Sequence, residues 1–222
     1  MTTDRTIISV EGVSFGYQPE RLVFDGFETH IDRGEGLIVY GPVGSGKTTL
    51  MNLILGRLRA SSGRISVDGM TMTEMSDSDI ADVRSHWGII PEDSVLLSDR
   101  TVLDNVQTSA KLSSSSRKVR RRDIDALLRS VRLLSKRKNR PSDLSNGQRK
   151  LLQLVMAVAR NPLLLLWDDP SIALDGESFD ISMDTLRKLH IGGTSILVTT
   201  SEPDKFSGLG WREQKILGAE GW

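Results

Sequence analysis

Eight residues, Gly41-Pro42-Val43-Gly44-Ser45-Gly46-Lys47-Thr48, have the types and spacing of a loop that wraps a phosphate. An apolar run, Leu37–Tyr40, precedes them, and Thr49–Leu55 follows as a helix. Gly41, Gly44 and Gly46 let the backbone close around the anion. N–H groups and hydroxyls from Ser45, Thr48 and Thr49 then meet it at a helix N-terminus, where the dipole favours negative charge. Lys47 is placed to reach β- and γ-phosphates, and the Thr48 hydroxyl to hold Mg²⁺. The expected ligand is a nucleoside triphosphate.

A second group of this kind is Asp168-Asp169, at the end of the wholly apolar run Leu163–Trp167. Carboxylates at the carboxyl end of a buried parallel strand sit where open α/β sheets place their ligands. Asp168 is placed to hold Mg²⁺ opposite Thr48, and Asp169 to orient an attacking water. The same pair would also suit the capping of a strand-to-loop junction.

The elements that must position these residues follow from periodicity. Ile7–Val13 and Val23–His30 alternate as antiparallel strands around a turn at Tyr17-Gln18-Pro19-Glu20. Gly63–Gly69 is a short strand, and Ser76 caps a helix running to about Ser85. Gly88-Ile89-Ile90 is a buried strand closed by Pro91. Thr101–Leu112, Arg117–Leu134 and Gly147–Arg160 show helical spacing. Glu177–Leu189 is a helix, Thr194–Thr199 a buried strand and Gln214–Leu217 an edge strand. The expected fold is α/β: a mainly parallel sheet plus N-terminal antiparallel strands, with an inserted helical subdomain. It forms a single unit, 1–222, with a core at about 1–91 and 161–222 and the helical part at about 92–160.

Composition bounds the function. The 222 residues contain no cysteine, so neither disulfides nor thiolate metal sites are available. Met1–Thr6 lacks the apolar core of a signal peptide, and no run approaches the ~18 apolar residues that span a bilayer. A cytoplasmic location is expected, with membrane association through a partner. Net charge is zero, yet Lys111–Arg140 holds twelve Lys and Arg against Asp123 and Asp125. That segment would suit nucleic acid or anionic headgroups, or would simply be a solvated helix face beside the Ser113–Ser116 run.

Leu144-Ser145-Asn146-Gly147-Gln148 opens a helix before the Asp168 strand and resembles the Leu-Ser-Gly-Gly-Gln signature of ABC-type ATPases. With the phosphate loop before it and Asp168 after, the likeness covers essentially the whole chain, as a P-loop NTPase core. It implies that Tyr17 stacks on adenine and that Ser171–Asp175 forms a loop communicating across a dimer. It also implies that Ser145, Gly147 and Gln148 complete the γ-phosphate site of a second nucleotide-binding subunit, identical or different. ATP and Mg²⁺ are the implied ligands. Asn146 replaces the usual second glycine, and Asn tolerates a left-handed backbone better than most residues. No Asn-Lys-x-Asp guanine motif is present, which disfavours a small GTPase.

Val95–Val106 is similar to the Leu-Leu-Pro-Asp-Arg-Thr-Val-x-x-Asn-Val stretch of the FtsE branch of that family, which acts in cell division. This implies an integral membrane partner, FtsX-like or another permease, docked in a groove near Glu92–Val106, with no nucleic acid. Lipoprotein-export and antibiotic-efflux members share much of the same sequence. Three positions depart from the family pattern: Glu92 stands for Gln, Asp169 for Glu and Thr200 for His. Asp169 is one methylene short of the water, and misplacement of about 1 Å can cost about 100-fold in rate. Thr200 offers a hydroxyl but no imidazole, and Glu92 can be an oxygen ligand of Mg²⁺. Weak ATPase activity is therefore expected. His30, His86 and His190 do not fall at the missing histidine's place and are read as surface or packing residues.

Overall fold

A computed structural model describes residues 5–18, 20–93, 95–113, 119–172 and 174–217. Pro19 of the expected turn, part of the serine run, Arg117 and Lys118 of the expected helix, and Ala173 lie outside them, as do both termini.

Strands β1 (Thr6–Gln18), β2 (Arg21–Asp32), β4 (Ser62–Val67) and β5 (Met70–Thr71) form an antiparallel sheet in the order β2-β1-β4-β5. Strands β3 (Gly36–Tyr40), β6 (Trp87–Ile90), β7 (Leu164–Asp168), β8 (Ser195–Thr200) and β9 (Arg212–Lys215) form a parallel sheet, ordered β6-β7-β8-β3-β9. Its side chains divide strictly by alternation. Leu37, Val39, Leu164, Leu166 and Leu197 face a core shared with the antiparallel sheet and helix α1 (Lys47–Ile54). Ile38, Leu165, Trp167, Ile196 and Val198 face the opposite side. That side is covered by α5 (Asn146–Val158) and α6 (Gly176–Ile191), which supply Leu154, Ala157, Met183 and Leu186.

Helices α2 (Asp77–Arg84), α3 (Val102–Lys111) and α4 (Arg121–Ser130) complete the chain. The Ser76 side chain caps α2 as expected, accepting from Asp79 N–H. A third apolar cluster joins Val102 and Val106 of α3, Ile124 and Leu128 of α4, and Leu151, Leu152 and Val155 of α5. Helix α5 therefore serves two cores at once. Its outer face holds α3 and α4, and its inner face holds β6 and β7.

Several expected boundaries are corrected, beginning with the first strand: β1 runs on to Gln18, which pairs with Arg21, so Tyr17 and Gln18 of the expected turn are strand. Helix α4 is shorter than 117–134: Arg120 is extended, and Arg132 turns left-handed (φ 60°) to end it. There Arg132 N–H bonds Arg129 O and Leu133 N–H bonds Leu128 O, a Schellman closure without glycine. Strand β9 begins two residues earlier than expected, because Leu37–Tyr40 pair with the polar Arg212–Lys215. Asn146 is the first residue of α5 and has no positive φ, so left-handed tolerance is not used there.

Candidate nucleotide-binding site

The loop after β3 turns through Gly44 (φ 84°) and Gly46 (φ 96°), conformations that side chains resist. A side chain at Gly46 would also strike Val23 Cγ1 at 2.6 Å, whereas nothing lies within 4 Å of the Gly44 position. Space is thus left open above the loop. A cavity of about 260 Å³ opens there, lined by Tyr17, Val23, Val43, Gly44, Gly46, Lys47, Thr48, Thr49, Glu92 and Asp169. Residues from β1, the loop, α1, the segment after β6 and the end of β7 converge on one space. Ser45 Oγ is buried and has no partner, as a donor awaiting an anion would be. Lys47 Nζ donates to Gly41 O at 2.8 Å and Pro42 O at 2.9 Å, so its ammonium is folded onto the loop's own carbonyls. Tyr17 stands at the rim with its hydroxyl 3.2 Å from Thr49 Oγ1 and its ring edge-on to Phe15.

Thr48, Glu92 and Asp168 line an adjoining cavity of about 200 Å³ with Asn52 and Asp93. The expected metal set is brought together. Two carboxylates and one hydroxyl leave room for water and phosphate oxygens, the mixture Mg²⁺ favours. Among the described residues no cluster of three or more His, Cys, Asp or Glu could hold a metal without such help. Asp168 Oδ1 accepts from Thr199 Oγ1 at 2.5 Å.

Asp169 sits in a cage of hydroxyls. Its Oδ1 accepts from Ser171 Oγ at 2.6 Å, and its Oδ2 from Ser201 Oγ at 3.3 Å. Its backbone is left-handed (φ 36°), held by a bond from its N–H to Thr199 O. Thr200 is fully buried, with Oγ1 3.4 Å from Ser171 Oγ and accepting from Glu202 N–H at 3.0 Å. It does not line the cavity, whereas Asp169 does. Gly41 is also behind the surface, donating its N–H to Thr200 O.

Ser145, Gly147 and Gln148 lie outside this cavity, at the N-terminus of α5. Ser145 and Gln148 form a reciprocal capping box. Gly147 permits close packing on α6: a side chain there would meet Ser178 Oγ at 2.6 Å and Asp175 Oδ2 at 2.7 Å. Asp175 caps α6, and the hydrogen bonds from Ser178 hold its carboxyl below the usual range. None of the three histidines lines either cavity.

The sequence reading missed Lys150. This side chain of α5 is buried, donating to Pro91 O at 3.1 Å and to Glu92 O. Gln153, one turn on, donates to Asp93 O at 3.3 Å. Burial pushes the Lys150 ammonium below its ordinary range, and Glu92, Asp168, Asp93 and Asp169 pull it partly back. Lys150 follows Arg149 at the head of Leu151–Val155, and the residue types do not tell which of the two basic side chains turns inward.

Known proteins fit this geometry. The family model described as ABC transporter matches residues 24–172, well over half the chain. The cell division ATP-binding protein FtsE of Escherichia coli is 32% identical over 206 residues, covering 93% of each chain. The methionine import ATP-binding protein MetN of Corynebacterium diphtheriae is 34% identical over 90% of this chain, which spans 60% of that protein. The macrolide export ATP-binding/permease protein MacB of Mannheimia succiniciproducens is 33% identical, and the chain spans 28% of it. A dimeric bacterial ABC transporter cassette superposes with a TM-score of 0.85 at 24% identity, over 97% of this chain and all of that one. The chain belongs to the ABC transporter family, as one of its ABC-type ATPase cassettes.

Proposed function

We propose that the chain is the ATP-binding subunit of an FtsE-like ABC complex, which binds MgATP and hydrolyses it slowly on dimerisation to drive an FtsX-like membrane partner. The observation that carries this is the single cavity shared by Tyr17, Gly44, Lys47, Thr48, Glu92 and Asp169. In it Tyr17 offers a ring to the base, and the loop N–H groups, Ser45 Oγ and Lys47 receive the phosphates. Mg²⁺, held by Thr48 and Asp168 with Glu92 beside them, would neutralise phosphate charge. Asp169 orients the water, with Thr200 behind it. Ser145, Gly147 and Gln148 serve the opposite subunit. The core (about 1–91 and 161–222) carries the nucleotide, and the helical part (about 92–160) carries the partner.

The reach of the FtsE likeness over 93% of both chains supports that branch. A groove of about 250 Å³ supports the docking site, lined by Pro91, Val95, Leu97, Asn105, Ser109 and Gln153 among others. Among the described residues no helix is long and apolar enough to cross a membrane, which suits a peripheral subunit on the cytoplasmic face. MetN-like import and MacB-like export remain alternatives at similar identity.

The hydroxyl cage on Asp169 favours a second reading, an ATP-gated regulatory subunit with little turnover. Steady-state ATP hydrolysis by wild type, Lys47→Ala, Asp169→Glu and Asp169→Glu/Thr200→His separates the two. Slow turnover that Lys47→Ala abolishes supports the motor. A silent wild type that binds ATP, revived by the double change, supports the switch. Failure to bind ATP overturns both.

A further inference from the structure

Among the described residues only four charged side chains are buried: Lys47 at 7% exposure, Lys150 at 3%, and Asp168 and Asp169 at 5% each. Lys47 and Asp169 line one cavity, Asp168 lines the cavity adjoining it, and Lys150 holds the segment that borders both. Two Asp and two Lys balance there, and a buried charge is costly unless others compensate it. Lys47 comes from the phosphate loop and the two carboxylates from the end of β7. The fourth charge enters from α5, on the far side of the Pro91–Asp93 segment, and belongs to none of the motifs that announce the site.

Glu92 adds a further negative charge where the segment borders both cavities. Without Lys150, the phosphates would approach Asp168, Asp169 and Glu92 with Lys47 as the one buried cation. With it, an ammonium lies directly behind Glu92, bonded to the carbonyl of that residue and to the one before. Gln153 fixes the next carbonyl, so the segment is gripped at three successive residues by one helix face.

We propose that Lys150 is a charge-compensating positioning residue of the nucleotide site, offsetting Glu92 so that the cavity accepts a polyanion. This rests on the reading that the cavity binds ATP. Lys150 does not touch the nucleotide. It acts through the field it places on Glu92 and through the backbone it holds. A structural role alone, tying down Pro91 O and Glu92 O, would be blind to the charge at the Glu92 side chain. The electrostatic role depends on it.

The test is a double-mutant cycle on MgATP affinity, read by titration calorimetry, using Lys150→Gln, Glu92→Gln and the pair. Lys150→Gln keeps a donor for the carbonyls but drops the charge. We expect it to weaken MgATP about tenfold with Glu92 present and less than about threefold in the Glu92→Gln background. Lys150→Arg, which keeps the charge, should stay within about threefold of wild type and guards against a variant that fails to fold. Equal losses in the two backgrounds, or no loss in either, overturn the inference while leaving the nucleotide site intact. No MgATP binding by wild type overturns the reading of the cavity itself.

Discussion

Ser171 Oγ donates to Asp169 Oδ1 at 2.6 Å, and the other carboxylate oxygen is met by Ser201. The pair steadies a carboxylate that is held on a left-handed backbone and that we propose orients the attacking water. Ser171→Ala should lower ATP turnover about tenfold, as loss of a group that orients a reactive side chain does. Nucleotide affinity should shift less than twofold, and Ser171→Thr should retain the rate. Steady-state kinetics beside a binding titration checks both quantities. An unchanged rate with measurable turnover would remove Asp169 from the chemistry.

Gly147 approaches α6 so closely that a methyl group would lie 2.6 Å from Ser178 Oγ. Gly147→Ala should therefore destabilise the chain by about 1–3 kcal/mol. Urea unfolding measures it. Stability equal to wild type would mean that α5 and α6 can part without cost.

Asn105 is fully buried on α3, and its amide serves Leu97 N–H, Leu97 O and Thr101 O at 2.8, 3.1 and 2.9 Å. This one side chain shapes the wall of the groove. Asn105→Ala should cost about 2–3 kcal/mol, because the backbone groups it satisfies are left without partners. Amide exchange in Leu97–Thr101 should rise with it, and slow exchange there would refute the role.

Glu35, in the turn between β2 and β3, ties β9 to β2: its carboxylate accepts from Arg212 at 2.7 Å and from Asp32 N–H at 2.7 Å. Burial pushes its carboxyl upward, but the Arg212 and Asp32 bonds outweigh it and leave the group below its ordinary value. A lowered carboxylate contributes stability that is present in full above the unfolded value, about 4.3. That contribution is lost as pH falls through the folded value. Glu35→Gln should thus melt a few degrees below wild type at pH 7. The gap should close as the pH falls below about 4, and thermal melts across that range decide it.

Much of this was legible because motif and element coincide. The phosphate loop falls between β3 and α1, and Asp168 closes β7, as apolar runs and glycines indicate. What escaped has physical reasons. Arg132 adopts a left-handed helix end without glycine, so nothing in the residue types marks where α4 stops. The last edge strand is expected at Gln214–Leu217, but its start at Arg212 is polar and held by pairing with β3, so residue pattern does not mark it. Lys150 was hidden because its partners are backbone carbonyls some 60 positions away, which leave no pattern in side chains. The alternation of Leu164–Trp167 between two cores, by contrast, needed only an apolar run.

Strand β9 also decides what one rim of the parallel sheet can pair with. It ends the parallel sheet with Arg212, Glu213, Gln214 and Lys215. Arg212 and Gln214 bond back to Glu35 and Glu28, while Glu213 and Lys215 stand in solvent. At the other margin β6 is four residues long and lies against α5. A short strand at one rim and charged side chains at the other both discourage strand addition. A ladder of backbone bonds is therefore discouraged at the rim where Arg212–Lys215 lie, which keeps the parallel sheet from growing from one copy of the chain into the next.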